Sequence, residues 1–524
     1  MKHMKKFVGL VLAMIMALAM TMTAFAATVT VPSDGILKDH TFTAYQIFSG
    51  REENRVLSDV QWGSGIDSTT FLAALKADTT YGSLFTDCAD AAAVAKVLGD
   101  NNTNTALANA VAKLAYANKT DTGTALNSGE NTLADGYYLI VDTTKNVAEG
   151  SACNTALLQV VGDDINITVK TDAPTVEKKV LEDDKYNQDG GYGTGYNDVA
   201  DYNMGDAVPF HLIGSVPDMS RYDTYKYIFH DTLSAGLTLN ENSIKVYVAS
   251  DKAGTDKAEI TGWTKAVNGQ SFTVSFTDLK TVSGVAEGKY IIVEYTATLN
   301  QNAVVGLDGN PNVVYLEYSN KPDQSGSGDT DNTGNTPEDK VIVFTYELDT
   351  TKVDGQDNTK KLEGAEFKLH NADNKWAIVD SNSRVTGWSD TEDGGSTLTS
   401  DENGLFKVIG LDDGTYYLKE TKAPAGYNLM SSEITVVITA TTTNGQTWTD
   451  GQASSALTNL AVTADGTAGT GDTSTGIAGI TVANNKGSTL PETGGMGTTI
   501  FYVLGTILVL GAAIMLIAKK RMNK

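Results

Sequence analysis

The chain has 524 residues, a formal net charge of −25 and a sequence pI near 4.5. So acidic a surface excludes nucleic acid as a partner, since phosphate binding needs neutralisation by lysine and arginine, and it suits a soluble, self-repelling protein. The length allows roughly three domains, and the two cysteines, Cys88 and Cys153, both fall in the first third, so disulfides do not staple the remainder.

The N-terminus reads as an export signal over residues 1–26. Lys2, Lys5 and Lys6 precede an apolar run from Phe7 to Met22, and Ala24-Phe25-Ala26 is a small-x-small cleavage site. Cleavage is expected after Ala26, which places the mature chain outside the cell. There Cys88 and Cys153 either pair or stay as two buried thiols; both readings are open.

Residues 27–172 form a first unit of mixed pattern. Thr41 to Phe48 and Gly136 to Val141 alternate like strands, whereas Phe71 to Lys76 and the Ala-rich stretch Ala89 to Tyr116 read as helices. The expectation is a β-sandwich with helical insertions. Residues 173–322 are nearly all strand, with Gly- and Asn-rich turns between Ser243–Val248, Ser271–Phe276, Tyr290–Leu299 and Asn312–Tyr318, which favours a second sandwich. The polar run 323–337 reads as a linker or long loop, and residues 338–487 as a third sandwich. The fold class expected is mainly β, a tandem of sandwich units.

Residues 488–524 hold three pieces in sequence. They are Leu490-Pro491-Glu492-Thr493-Gly494, an apolar span from Ile500 to Ile517, and the basic tail Lys519-Lys520-Arg521 ending at Lys524. The span is long enough to cross a bilayer and the basic cluster holds its end in the cytoplasm. Pro491 fixes its own φ, so less entropy is lost when the peptide docks.

In this order the three pieces resemble the cell-wall sorting signal of Gram-positive surface proteins, the substrate of sortase transpeptidases. The resemblance implies that a sortase cysteine attacks the carbonyl of Thr493, releases Gly494 and passes the acyl group to an amine. The chain is then a substrate and not an enzyme. Tyr417-Leu418-Lys419-Glu420-Thr421-Lys422-Ala423-Pro424-Ala425-Gly426-Tyr427 resembles the E-box of Gram-positive pilins with Cna-B-type domains, of immunoglobulin-like fold. Gly364 to Leu369 resembles the start of such a domain, and Val482-Ala483-Asn484 its last strand. That family forms a spontaneous Lys–Asn isopeptide bond, which here implies attack by Lys352 on Asn484 with Glu420 as the assisting acid. Asn485 competes with Asn484, and alternation after Val482 favours Asn484. The alternative is a buried Glu–Lys ion pair with no bond.

The second unit resembles the fimbrial isopeptide-forming domain, in which an Asp assists. The resemblance implies Asp231 as the acid and Asn320 as the partner of Lys178, which shares a face with Val176 and Val180 and is preferred to Lys179. In the first unit Tyr137-Tyr138-Leu139-Ile140-Val141-Asp142 resembles an E-box without its continuation, and no bond is expected there. Lys170, between the first two units, stands where shaft pilins carry the lysine that accepts the next subunit, although the Tyr-Pro pair of that motif is absent.

The whole chain resembles the major subunit of a sortase-assembled pilus. The partners implied are class C and housekeeping sortases, other copies of itself, peptidoglycan, tip and base pilins and a host ligand. A wall-anchored monomeric adhesin is the rival reading and a surface enzyme a more distant one. No Walker loop, paired-glycine dinucleotide fingerprint, His-x-x-x-His or Cys-x-x-Cys pair is present, so no cofactor or metal is expected; the acidic loop Asp390 to Gly394 is a weak Ca²⁺ candidate.

Overall fold

A computed structural model describes residues 26–54, 56–162, 164–169, 171–183, 191–323, 332–444, 448–449, 452–453, 456–487 and 496–522. Residues 1–25 of the expected signal peptide, Lys170 and Leu490 to Gly494 lie outside the described residues. The chain is mainly β, in three successive units.

In the first unit β1 (Phe42–Glu53) and β2 (Gly136–Asp142) are the centre of a five-stranded sheet, which faces a three-stranded sheet of Ala26–Val31, Gly129–Ala134 and Ile165–Asn166. One apolar cluster fills the space between the sheets, with Val29, Phe42, Ile140 and Val161. A second lies under the helical insertions, with Phe48, Phe71, Val94, Val111 and Leu139. The insertions are α1 (Ser68–Ala77), α2 (Ala91–Asp100) and α3 (Thr105–Ala117), with a short helical turn at Gly82–Phe85. The single helix expected over 89–116 is broken because Asn104 caps a new one, its side chain accepting from Leu107 N at 3.0 Å.

The second unit packs two seven-stranded sheets face to face. One contains β3 (Val176–Leu181), β4 (Ala207–Ser215) and β6 (Tyr290–Leu299); the other contains β5 (Tyr227–Leu233), β7 (Asn310–Ser319) and β8 (Asp339–Phe344). β7 alternates strictly over Asn310 to Leu316, burying 310, 312, 314 and 316, as a strand with one core face must.

Two expectations change here. The unit does not end at 322, because β8 pairs antiparallel with β7, Asn312 opposite Val341 and Val314 opposite Asp339. Nor are the described parts of 323–337 a linker. Asp323 is buried and accepts from Arg221 Nε at 2.6 Å and Ala156 N at 2.8 Å, and Thr333–Asn335 pairs with β7.

The third unit begins at β9 (Tyr346–Asp354), one residue after β8. With β11 (Ile477–Asn484) it makes the middle of a four-stranded sheet, packed on an eight-stranded sheet that contains β10 (Gly414–Lys422). The second and third units share one continuous apolar core, in which Met204, Phe344, Tyr346, Leu411 and Tyr416 meet at the joint. There Tyr346 donates to Asp201 at 3.0 Å, and a Cβ on Gly306 would meet Gly476 N at 2.5 Å, so the backbones can approach only through glycine. A last helix, α4 (Met496–Met522), includes a stretch of mean hydropathy 2.6 and ends in Lys519, Lys520 and Arg521.

Candidate functional sites: two buried lysine, acid and asparagine clusters

In the second unit the period of β3 turns Val176, Lys178 and Val180 inward, and Lys178 is fully buried. It reaches across the sandwich and donates to Asp231 Oδ2 on β5, itself buried. Tyr295, on β6, stands between them. Its oxygen accepts from Lys178 Nζ at 2.9 Å, its hydroxyl donates to Asp231 Oδ2 at 3.0 Å, and it accepts from Asn312 Nδ2 on β7 at 2.8 Å. Burial lowers the Lys178 pKa against the pull of Asp231, and burial raises that of Asp231 against the pull of Lys178. Both directions favour the neutral pair, amine and carboxylic acid.

The asparagine of this cluster is Asn312 and not Asn320. Asn320 is buried at the far end of β7, where its side chain lies against Gly334. The register decides the matter: β5 sets Asp231 opposite Val314 and Leu233 opposite Asn312, whereas the other end of the pairing is Tyr227 opposite Tyr318. Lys179 points elsewhere and pairs with Asp198. His230 sits on the outer side, stacked on Tyr315 and 3.0 Å from Glu317.

The third unit brings together the three residues its motifs single out. Lys352 on β9 is fully buried, Glu420 on β10 and Asn484 on β11 nearly so. β9 and β11 run parallel as neighbours, Lys352 opposite Val482, so Asn484 lies one same-face position along the adjacent strand. Glu420 comes from the opposing sheet. Its Oε1 is 3.6 Å from Lys352 Nζ, and its Oε2 accepts from Asn484 Nδ2 at 3.0 Å and from Met430 N at 2.8 Å. Asn484 Nδ2 also donates to Asn428 O at 2.6 Å. Burial, opposed by the nearby Glu420, lowers the Lys352 pKa to about 8.

The end of the E-box segment holds the last strand in place. Tyr427 donates to Asp354 at 2.8 Å and Asn428 N to Asn485 O at 3.0 Å. Asn485 itself is exposed and turned away from the core.

The two clusters share a further feature. In each, one oxygen of the acid (Asp231 Oδ1, Glu420 Oε1) and the amide oxygen of the asparagine (Asn312 Oδ1, Asn484 Oδ1) are buried without a hydrogen-bond partner among the described residues. Leaving such groups unpaired costs about 1–3 kcal/mol each.

Elsewhere the structure brings less together. Cys88 and Cys153 are unpaired and buried, and burial pushes the Cys153 thiol up to about 12. In the acidic loop Asp390 pairs with Lys375 and Glu392 with Lys419. Asn312 and Tyr295 are the residues that sequence reasoning missed; Asn312 stood within the expected strand, at the same parity as Asn320.

Three family profiles match successive stretches. Residues 204–322 match the Gram-positive pilin backbone subunit 2, Cna-B-like domain. Residues 346–452 match the SpaA prealbumin-like fold domain, and residues 482–524 the LPXTG cell wall anchor motif. The chain is 26% identical over 378 residues to the trypsin-resistant surface T6 protein of Streptococcus pyogenes, covering 61% of this chain and 65% of that one. It is 27% identical over 276 residues to the fimbrial subunit type 2 of Actinomyces naeslundii, covering 44% and 46%. It thus spans less than two thirds of either relative. The solved structure of the T6 backbone pilin of S. pyogenes superposes with a TM-score of 0.52 at 19% identity, covering 88% of this chain and 99% of that one, and shares its fold. The chain thus joins two stretches that match Gram-positive pilin-type domain models to a C-terminal stretch that matches a cell wall anchor motif.

Proposed function

We propose that the chain is the shaft subunit of a covalently polymerised surface pilus, stiffened by two intramolecular isopeptide bonds. The observation that carries the reading is the pair of fully buried lysines, each against a buried acid and an asparagine, in tandem sandwiches upstream of a wall anchor. In each cluster the neutral lysine attacks Cγ of the asparagine. The Nζ–Cγ bond forms, the Cγ–Nδ2 bond breaks and ammonia leaves, while the protonated acid polarises the amide oxygen. Fixed geometry replaces a bimolecular encounter, so the fold itself is the only catalyst needed. The bonds are Lys178–Asn312 with Asp231, and Lys352–Asn484 with Glu420.

On this reading a class C sortase cleaves after Thr493 and joins it to Lys170 of the next subunit. A housekeeping sortase transfers the finished fibre to peptidoglycan, with tip and base pilins at its ends. A head-to-tail fibre needs donor and acceptor at well-separated places, and Thr493 follows the third unit whereas Lys170 precedes the second.

Immunoblots of wall extracts in denaturant test the assembly. A ladder is expected from the wild type and a single band from Lys170→Ala; a single band from the wild type identifies a monomeric adhesin instead. Intact mass tests the bonds. The exported protein is expected to be lighter by two ammonia units, by one in Asn312→Ala, and still by two in Asn320→Ala.

A further inference from the structure

We propose that Tyr295 is a catalytic residue of the second-unit bond, relaying a proton from the attacking nitrogen to the departing one. The inference rests on the Lys178–Asn312 reading above. One phenol oxygen lies 2.9 Å from the nucleophile Nζ and 2.8 Å from the leaving nitrogen Nδ2, and both are buried with it. The ring is fixed by stacking on Phe210 at 5.3 Å and by an edge contact with Phe272 at 4.9 Å, so the oxygen is held in place.

The need for a relay follows from the proton count. Attack leaves Nζ with one proton too many, and Nδ2 must gain one to depart as ammonia. Asp231 accepts from Lys178 Nζ and from the Tyr295 hydroxyl, whereas Asn312 Nδ2 donates to Tyr295, so the group that touches both nitrogens is the phenol and not the acid. Once the tetrahedral intermediate exists, Nδ2 is an amine nitrogen with a free lone pair. The phenol hydrogen then turns to Nδ2 as the phenol oxygen takes the proton from Nζ. Tyr295 is neutral before and after, as its burial demands: burial raises its pKa well above the ordinary value and disfavours the phenolate. The products are the secondary amide and ammonia, and nothing else is consumed.

The third-unit cluster is built differently. Lys352 Nζ has Met430 Sδ at 3.8 Å and the Phe367 ring at 5.4 Å as neighbours, and the leaving nitrogen is held by Glu420 and the Asn428 carbonyl. Among the described residues no hydroxyl bridges the two nitrogens there; Glu420 itself lies 3.6 Å from Nζ and 3.0 Å from Nδ2. The two bonds of one chain therefore form by different proton routes, and the third-unit bond serves as an internal clock.

The test is a time course on the full chain made by cell-free translation in detergent, digested at intervals and read by mass spectrometry of the two branched peptides. In Tyr295→Phe the Lys178–Asn312 peptide is expected to form at least tenfold more slowly, while the Lys352–Asn484 peptide keeps its wild-type rate. The slowed reaction is expected to speed up with rising pH, because the proton must then go to solvent, whereas a merely structural role leaves the pH profile unchanged. A wild-type rate in Tyr295→Phe overturns the relay. Should that variant fail to fold, 3-fluorotyrosine placed at 295 keeps the ring and changes phenol acidity; an unaltered rate with it also overturns the relay. Absence of the Lys178–Asn312 peptide from the wild type overturns the underlying bond assignment as well, and so is told apart from failure of the relay alone.

Discussion

The first and third units both carry Tyr-Tyr-Leu with an acid close behind, three residues after the leucine in the first (Asp142) and two in the third (Glu420), and the two acids sit in opposite surroundings. Asp142 at the end of β2 has four hydrogen bonds. It accepts from or shares a proton with His40 Nδ1 at 2.6 Å, and accepts from Thr144 N at 3.0 Å, Thr144 Oγ1 at 2.6 Å and Asn154 N at 2.7 Å. Burial raises its pKa, but these bonds outweigh burial and hold it below the ordinary carboxylate range. Glu420, two residues before the end of β10, has two hydrogen bonds on one oxygen and none on the other among the described residues. A fully satisfied buried acid is a charged anchor; a half-satisfied one beside a desolvated lysine is what the proposed bond requires. The motif supplies the acid, and its surroundings decide which it becomes.

The sharpest way to break this contrast is Glu420→Ala. The third unit is expected to fold without its bond, to regain one ammonia unit of mass, and to lose about 4–5 kcal/mol of stability by the loop-entropy estimate for a cross-link closing more than a hundred residues. Calorimetry with intact mass checks it, and a bonded variant with an unchanged melting temperature sinks the role of Glu420. The matching change in the first unit, Asp142→Ala, is expected to cost about 3 kcal/mol by leaving His40 and the backbone donors unpaired, with no change in mass. Any mass change there refutes the assignment of Asp142 as an anchor.

A smaller effect follows from pH. In Asn484→Ala, Lys352 stays an amine whose folded pKa is about 8 against an ordinary 10.5. Between those values the unfolded chain holds a proton that the folded chain lacks, so stability is expected to rise with pH over that window and to be flat below it. With the proposed bond in place the wild-type amide nitrogen does not titrate and the rise is expected to vanish; denaturant melts from pH 7 to pH 10.5 compare the two.

The third-unit site was legible in the sequence because its acid lies in a contiguous motif and its lysine and asparagine lie on short alternating strands at either end. The second-unit asparagine was not. Residues 312 and 320 differ by an even number, so alternation puts both on one face, and only the pairing of β7 with β5 decides which stands beside Asp231. The unit boundary failed for a related reason. Val341-Ile342-Val343-Phe344 runs into β9 with no glycine or proline to mark a break, and the polar stretch before it imitates a linker while its described ends pair within the second unit. Mainly β architecture, helical insertions and the apolar C-terminal helix were all readable from periodicity, because each depends on neighbours within a few residues.

The single residue between β8 and β9 has a consequence for the shape of a fibre. Thr345 is fully buried and donates to Leu411 O at 3.1 Å, so the connection is itself part of the core. A tether that short, inside a shared apolar core, removes the swivel that a linker gives two beads on a string. The second and third units therefore act as one beam, and a filament of such subunits concentrates its bending elsewhere. Its persistence length is set by how often those other joints recur along the axis, and each locked pair of sandwiches doubles the stride between them.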